Sequence, residues 1–144
     1  GSDIPAAEEL LAEVRKAVSG AQADRCDIGD IRGGVSLLIN ATPIGMYPHA
    51  DAMPVRGEVL PNTAAVFDAV YNPKDTLLLQ RAAAAGARTA GGMPMLVHQA
   101  ALAHEIWDGA SFTPEDIRAL IADADEYMRK HFQKSGDPAS GEAV

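Results

Sequence analysis

The sequence predicts an α/β fold, a doubly wound parallel sheet with helices on both faces, and three observations carry that prediction. Short strand-like runs at residues 35–39, 64–70 and 88–90 alternate with segments whose apolar residues recur at helical spacing. The first two runs are apolar almost throughout, which suits strands covered on both faces. The three stretches of unusual composition, residues 40–46, 68–73 and 91–99, all lie at the carboxyl end of such a run. Open parallel sheets bind ligands in the crevice outside those ends, so the three junctions predict one shared cleft.

The first helix is expected from Asp3 to Gly20. Asp3 can cap it, Pro5 falls in its first turn, and Leu10, Leu11, Val14, Ala17 and Val18 repeat at helical spacing. Gly20 suits a left-handed stop. Residues 21–34 are irregular, with a short strand expected around Cys26 and Ile28 and a turn at Ile31. Pro43, Gly45, Pro48, Pro54 and Gly57 punctuate a loop between residues 40 and 60. Tyr71-Asn72-Pro73 closes the second strand. A helix then starts at Asp75 or Thr76, runs through Leu77, Leu78 and Leu79, and stops at Gly86. Gly91-Gly92-Met93-Pro94 turns into the next helix, opened by Pro94 and ending near Gly109. The last helix has Thr113 as its cap, Pro114 as its first residue and Asp116 as the short-chain partner of a capping box. Ile117, Leu120, Ile121, Ala124 and Met128 are expected to form its buried stripe. From Gln133 onward the composition predicts a disordered tail, and Gly1-Ser2 has the look of a cloning scar.

At 144 residues the chain is one domain or part of one, long enough to bury a core. A net charge of −8 argues against nucleic acid and anionic membrane surfaces as partners. The single cysteine, Cys26, supports neither a disulfide framework nor a metal cluster and is expected to be a small core hydrophobe. His49, His98, His104 and His131 have no metal-ligand spacing, so no metal is expected. No leader-like segment and no bilayer-length apolar run occurs, which makes the cytoplasm the default location.

Each junction offers particular chemistry. The Asn40 amide, at the end of a strand, can hold a turn or a ligand, and Thr42 is biased toward an extended backbone by Pro43. A carboxylate inside an apolar strand is costly unless hydrogen-bonded, so Asp68 is either an acceptor for nearby backbone amides or a site residue. Tyr71 follows the strand end and can place its hydroxyl in the cleft or pack its ring. Gly91-Gly92 allows close approach of a ligand at a helix entrance, where N–H groups and the macrodipole converge. His98 invites a general-base reading. No serine or cysteine nucleophile stands beside it in a motif, however, and no catalytic residue is assigned within this chain. Lys74, a lone lysine beside a proline, is expected to be solvated.

Three motifs together resemble the shikimate dehydrogenase family. They are Asn40-Ala41-Thr42-Pro43-Ile44-Gly45-Met46, Phe67-Asp68-Ala69-Val70-Tyr71-Asn72-Pro73, and Gly92-Met93-Pro94-Met95-Leu96-Val97-His98-Gln99-Ala100-Ala101, followed by Trp107-Asp108-Gly109. Their order and spacing match the C-terminal part of that family over residues 7–132. The resemblance implies a Rossmann-like nucleotide-binding domain, here partial. It also implies the reversible reduction of 3-dehydroshikimate to shikimate, in aromatic amino-acid biosynthesis, with NADP as the usual cofactor and NAD the alternative. By the same resemblance Asn40, Ala41 and Thr42 would line the cofactor crevice. Gly92 would offer its carbonyl to the nicotinamide amide, and Met95 would pack on the nicotinamide ring. Tyr71 would sit where substrate and nicotinamide meet, and Gln99 would hydrogen-bond a shikimate hydroxyl. Residues 113–132 would form the helix that packs on the family's N-terminal substrate domain.

The departures from the family pattern bear on activity. The chain has no Gly-x-Gly-x-x-Gly or Gly-x-Gly-Gly phosphate loop, and Gly33-Gly34 precedes a strand instead of opening a helix. The basic Asn-Arg-Thr segment that would select the 2′-phosphate of NADP is absent, as is the substrate domain with its carboxylate-binding serines and its lysine and aspartate. The expectation is therefore a nicotinamide-side part that is inactive alone and needs an N-terminal part in cis or in trans. The alternative is a non-catalytic truncated module acting by self-association, possible as a homodimer, or as a partner subunit.

Overall fold

The structure, a computed structural model, describes residues 4–132. The Gly1-Ser2 scar, the Asp3 cap and the tail from Gln133 all lie outside the described residues. The chain divides into two compact units, with the boundary between Ile31 and Arg32.

The first unit holds helix α1, Ile4–Ala17, as its alanines, leucines and apolar spacing predict. Arg25 bonds Glu8 at 2.9 Å, and an Arg15 guanidinium nitrogen donates to the Ala23 carbonyl at 2.5 Å. No residue of α1 is buried. Its amphipathic spacing therefore specifies a face and not a partner for that face. The short strand expected around Cys26 and Ile28 does not form. Asp27 instead accepts a hydrogen bond from the Gly29 N–H at 2.8 Å and starts a 3₁₀ turn, Ile28–Asp30. The local side-chain acceptor has offered the backbone an alternative to a ladder. Cys26 is exposed and is not the core residue the sequence suggested.

The second unit contains a three-stranded parallel sheet in the order β1 (Leu38–Asn40), β2 (Ala65–Asp68), β3 (Arg88–Ala90), with helices on both sides. Leu38 stands opposite Val66 and Asn40 opposite Asp68, while Ala65 faces Arg88. Helix α2 (Leu77–Ala84) packs on β2 and β3. Helices α3 (Met93–Asp108) and α4 (Pro114–Phe132) pack on each other. Val66, Val70, Leu78, Leu79, Ala82, Met93, Val97 and Ala101 form the core, joined by Val59 and Leu60. Those last two come from a 3₁₀ helix, Gly57–Asn62, that begins within the stretch expected to be loop.

Three further expectations are corrected. Strand β1 begins at Leu38 and is not covered on both faces: Leu37 and Ile39 are 54% and 57% exposed. The reason is that among the described elements β1 packs on β2 alone, so no helix lies over the face that carries Leu37 and Ile39. The apolar stripe of α4 is only half covered, and Leu120 stays exposed. Pro94 is the second residue of α3, one place later than expected, and Gly109 closes that helix with φ 65°. Among the described residues no helix is long and apolar enough to cross a membrane.

Candidate functional site

The parallel register brings the ends of β1 and β2 level, so Asn40 and Asp68 are neighbours on adjacent strands. Both are buried, Asn40 at 3% and Asp68 at 0% exposure. Buried polar groups must find partners, and these find them in each other. The Asn40 amide nitrogen donates to Asp68 Oδ1 at 2.9 Å and to the Ile44 carbonyl at 3.2 Å. Asn40 Oδ1 in turn accepts from the Thr42 N–H at 3.1 Å and the Thr42 hydroxyl at 2.7 Å. The Thr42 hydroxyl oxygen then accepts from the Ile44 N–H at 3.2 Å. Of the two uses open to the Asn40 amide, it serves the turn. Ala41 is left exposed at the tip and Thr42 half-buried behind it.

Asp68 accepts two more hydrogen bonds. The Val70 N–H reaches Oδ1 at 3.0 Å, and the Thr76 hydroxyl reaches Oδ2 at 2.6 Å. Thr76 is the N-cap of α2, its oxygen accepting the Leu79 N–H at 3.3 Å. The backbone-acceptor reading of Asp68 therefore holds, and two side-chain donors join the Val70 amide. Sequence reasoning placed Thr76 near the start of the helix and missed its hydroxyl on Asp68. The residue stands eight positions from Asp68, the one signal that could have linked them.

The third junction is tied to the second. The Gly92 N–H donates to the Val70 carbonyl at 3.1 Å, which fixes the entrance of α3 beside the β2–α2 connection. Gly92 is buried, and its carbonyl accepts the Leu96 N–H at 3.0 Å, leaving one lone pair for another donor. Met95 is half-buried and Gln99 exposed, one helical turn apart on the same face of α3. His98 is exposed and lines the groove between α3 and α4, with no serine or cysteine among the residues lining it.

Tyr71 and Gly92 do share a cleft. A cavity of about 510 Å³ is lined by Tyr71, Lys74, Gly91, Gly92, Pro94, Ile121 and Asp125, among others. Asn40, Ala41, Thr42, Met95 and Gln99 are not part of its lining, so the predicted site residues do not all meet in one pocket within the described residues. Lys74 is not merely solvated: its ammonium stands 2.5 Å from Asp125 on α4. Asp125 escaped sequence reasoning altogether, because nothing local marks it. Its Oδ1 is buried without a hydrogen-bond partner among the described residues.

No family model matches the chain. Shikimate dehydrogenase (NADP(+)) of Methanocaldococcus jannaschii is 44% identical over 91 residues, which cover 62% of this chain and 32% of that protein. Two solved structures are similar in fold. A chorismate mutase/shikimate 5-dehydrogenase fusion protein from Clostridium acetobutylicum matches 71% of this chain and 37% of its own, with a TM-score of 0.63 and 33% identity. Shikimate 5-dehydrogenase from Thermus thermophilus, in complex with NADP(H) and shikimate, matches 62% of this chain and 34% of its own, with a TM-score of 0.54 and 36% identity. The chain spans well under half the length of these curated relatives, 32% of the Methanocaldococcus protein and 41% of the Halorubrum lacusprofundi one. The three parallel strand ends, the Asn40–Asp68 bracket and the glycine-led α3 are thus found in a chain that is similar, in sequence and in fold, to the C-terminal portion of shikimate dehydrogenases.

Proposed function

We propose that this chain is the nicotinamide-side part of an NADP-dependent shikimate dehydrogenase, an oxidoreductase that interconverts 3-dehydroshikimate and shikimate. The observation that supports it best is the linkage of three family-like segments at the carboxyl ends of three parallel strands. The Asn40–Thr42 turn, Tyr71 and the Gly92 entrance of α3 are held in fixed relation by buried hydrogen bonds.

The groups present suit the nicotinamide end of the cofactor. Ala41 is exposed at a turn tip, Gly92 keeps a free carbonyl lone pair, and Met95 offers a half-buried apolar side chain. Bound there, the nicotinamide would supply or take the hydride. The chain's own residues would place it. Asn40 and Thr42 shape the crevice wall, Gly92 orients the carboxamide and Met95 backs the ring. Tyr71 holds the substrate side, and Gln99 hydrogen-bonds a substrate hydroxyl. Among the described residues no glycine-rich turn stands ready for the pyrophosphate, and no lysine–aspartate pair is assigned to the alcohol proton. Both would come from an N-terminal part, in cis or in trans, on which α4 would pack.

The test is shikimate-dependent NADP reduction by the purified chain, alone and with a family N-terminal part. No turnover alone and turnover with the added part is the expected result. Steady turnover by the chain alone overturns the need for a second part. A second reading, a non-catalytic module acting by self-association, is favoured by the exposed Ile39 on the edge strand and the exposed Leu37 just before it. It predicts a stable oligomer that the N-terminal part neither disperses nor activates.

A further inference from the structure

We propose that Asp68 is a positioning residue, one that sets the spacing between the cofactor-side turn at residues 40–42 and the substrate-side Tyr71 without touching either ligand. What the two sides bind rests on the dehydrogenase reading. The coupling itself rests on this chain's own hydrogen bonds.

The carboxylate is wholly buried, so no ligand or solvent reaches it. Its two oxygens nevertheless serve three different pieces of backbone. Asn40 brings the end of β1, and through Asn40 Oδ1 the whole Thr42 turn. Val70 brings the residue just before Tyr71, and its carbonyl holds the Gly92 N–H at the head of α3. Thr76 brings the cap of α2. Hydrogen bonds are short-range and directional, so none of the three pieces can shift without breaking a bond at Asp68. A carboxylate suits this place because every neighbour is a donor, and an apolar side chain would strand three of them out of water.

Such a residue acts on alignment more than on affinity. Each side of the site would still bind its own ligand after Asp68 is lost, but the two would no longer be held in register. Misplacement of reacting groups by about 1 Å can cost about 100-fold in rate.

The first test is amide hydrogen exchange on the chain itself. Asn40→Ala cuts only the β1 arm, and Thr76→Val only the α2 arm. If Asp68 couples the junctions, Asn40→Ala accelerates exchange at Val70 and Gly92 by about 3- to 10-fold, beyond its own turn. Thr76→Val does the same at Val70. Changes confined to Thr42 and Ile44 in the first variant, and to Leu79 in the second, overturn the proposal. The second test is kinetic, in the enzyme assembled with the N-terminal part. Asp68→Ala should lower kcat about 100-fold with KM for shikimate and NADP changed less than about threefold. Asp68→Asn should recover most of kcat, because its amide oxygen still accepts from Asn40 and Val70 and its NH₂ can donate to the Thr76 hydroxyl. Should Asp68→Ala fail to fold, Thr76→Val carries the same readout. A rise in KM with kcat unchanged overturns the positioning role. Absence of turnover when the native chain is combined with the N-terminal part would count against the dehydrogenase reading, and the exchange data would still decide the coupling.

Discussion

A β-carbon on Gly92 would stand 2.1 Å from the carbonyl oxygen of Ala69, closer than any side-chain carbon can approach. The backbone at Gly92 is ordinary right-handed helix, with φ −80° and ψ −14°, so it is space and not conformation that requires glycine there. The contact draws the α3 entrance tightly against the end of β2, and it is what allows the Gly92 N–H to reach the Val70 carbonyl. Gly91 is different, since a β-carbon there would meet the Lys74 carbonyl oxygen at 3.4 Å, an ordinary contact.

Gly92→Ala should therefore destabilise the chain by about 1–3 kcal/mol, the usual penalty for overpacking, and Gly91→Ala should be close to neutral. Urea denaturation of the two variants beside the parent checks this. Equal midpoints for both variants would mean that the strand end gives way without cost.

The Lys74–Asp125 pair makes a separate case, because α4 has few other ties. No residue of α4 is buried, and among the elements it packs on α3 alone. Its one described link to the β2–α2 connection is the Lys74 ammonium on the Asp125 carboxylate at 2.5 Å. The lysine is 54% exposed, so the pair contributes only about 0–1 kcal/mol after screening. Lys74→Ala should leave global stability almost unchanged and speed amide exchange in α4 selectively. The charge swap Lys74→Asp with Asp125→Lys should restore protection. Acceleration spread evenly over β2 and α2 would show instead that the pair supports the whole unit.

These examples also mark what the sequence could and could not disclose. Thr113, Pro114 and Asp116 announce a helix start because every bond in that cap lies within three residues. Asp68 in an apolar strand announced either a hydrogen-bonded acceptor or a site residue, since an unpartnered carboxylate there would be too costly. Its particular donors were hidden: Asn40 is 28 residues away, and only the strand register makes it a neighbour. Asp125 and Lys74 are 51 residues apart, with nothing in local composition to join them. The failures have one cause. At Ile39 and Cys26 the apolar residue was legible but its cover was not, because cover depends on which element lies alongside. The family motifs were legible as strings, whereas their convergence on one carboxylate needed the fold.

The cap of α4 gives a prediction in pH. The Asp116 carboxyl is held below the ordinary aspartate value, chiefly by the Thr113 hydroxyl and then by the Thr113 backbone N–H. A carboxyl with a lowered folded pKa contributes stability above its unfolded pKa, about pH 4. That contribution fades as pH falls through the lowered folded value. Thr113→Val removes the hydroxyl donor, so the Asp116 pKa should move up toward its ordinary value. The stability difference between parent and variant should shrink on acidification below about pH 4. An NMR titration of the Asp116 side chain in both proteins reads this directly, and an unchanged midpoint in Thr113→Val would assign the shift elsewhere.

Ile39 carries the last expectation. It is 57% exposed on β1, nearby Leu37 is 54% exposed, and β1 pairs among the described residues with β2 alone. An apolar edge strand with unpaired backbone groups is a template for another strand. The chain alone should therefore self-associate at high concentration, and Ile39→Lys should suppress this, since a charged residue on an edge opposes pairing. Sedimentation velocity over a concentration series measures it. The N-terminal family part separates the two functional readings in the same experiment. If that part is the natural cover for this edge, adding it should replace the self-associated species with a single mixed complex, and Ile39→Lys should weaken that complex as well. If self-association is the chain's own function, the homo-oligomer should persist whether or not the N-terminal part is present.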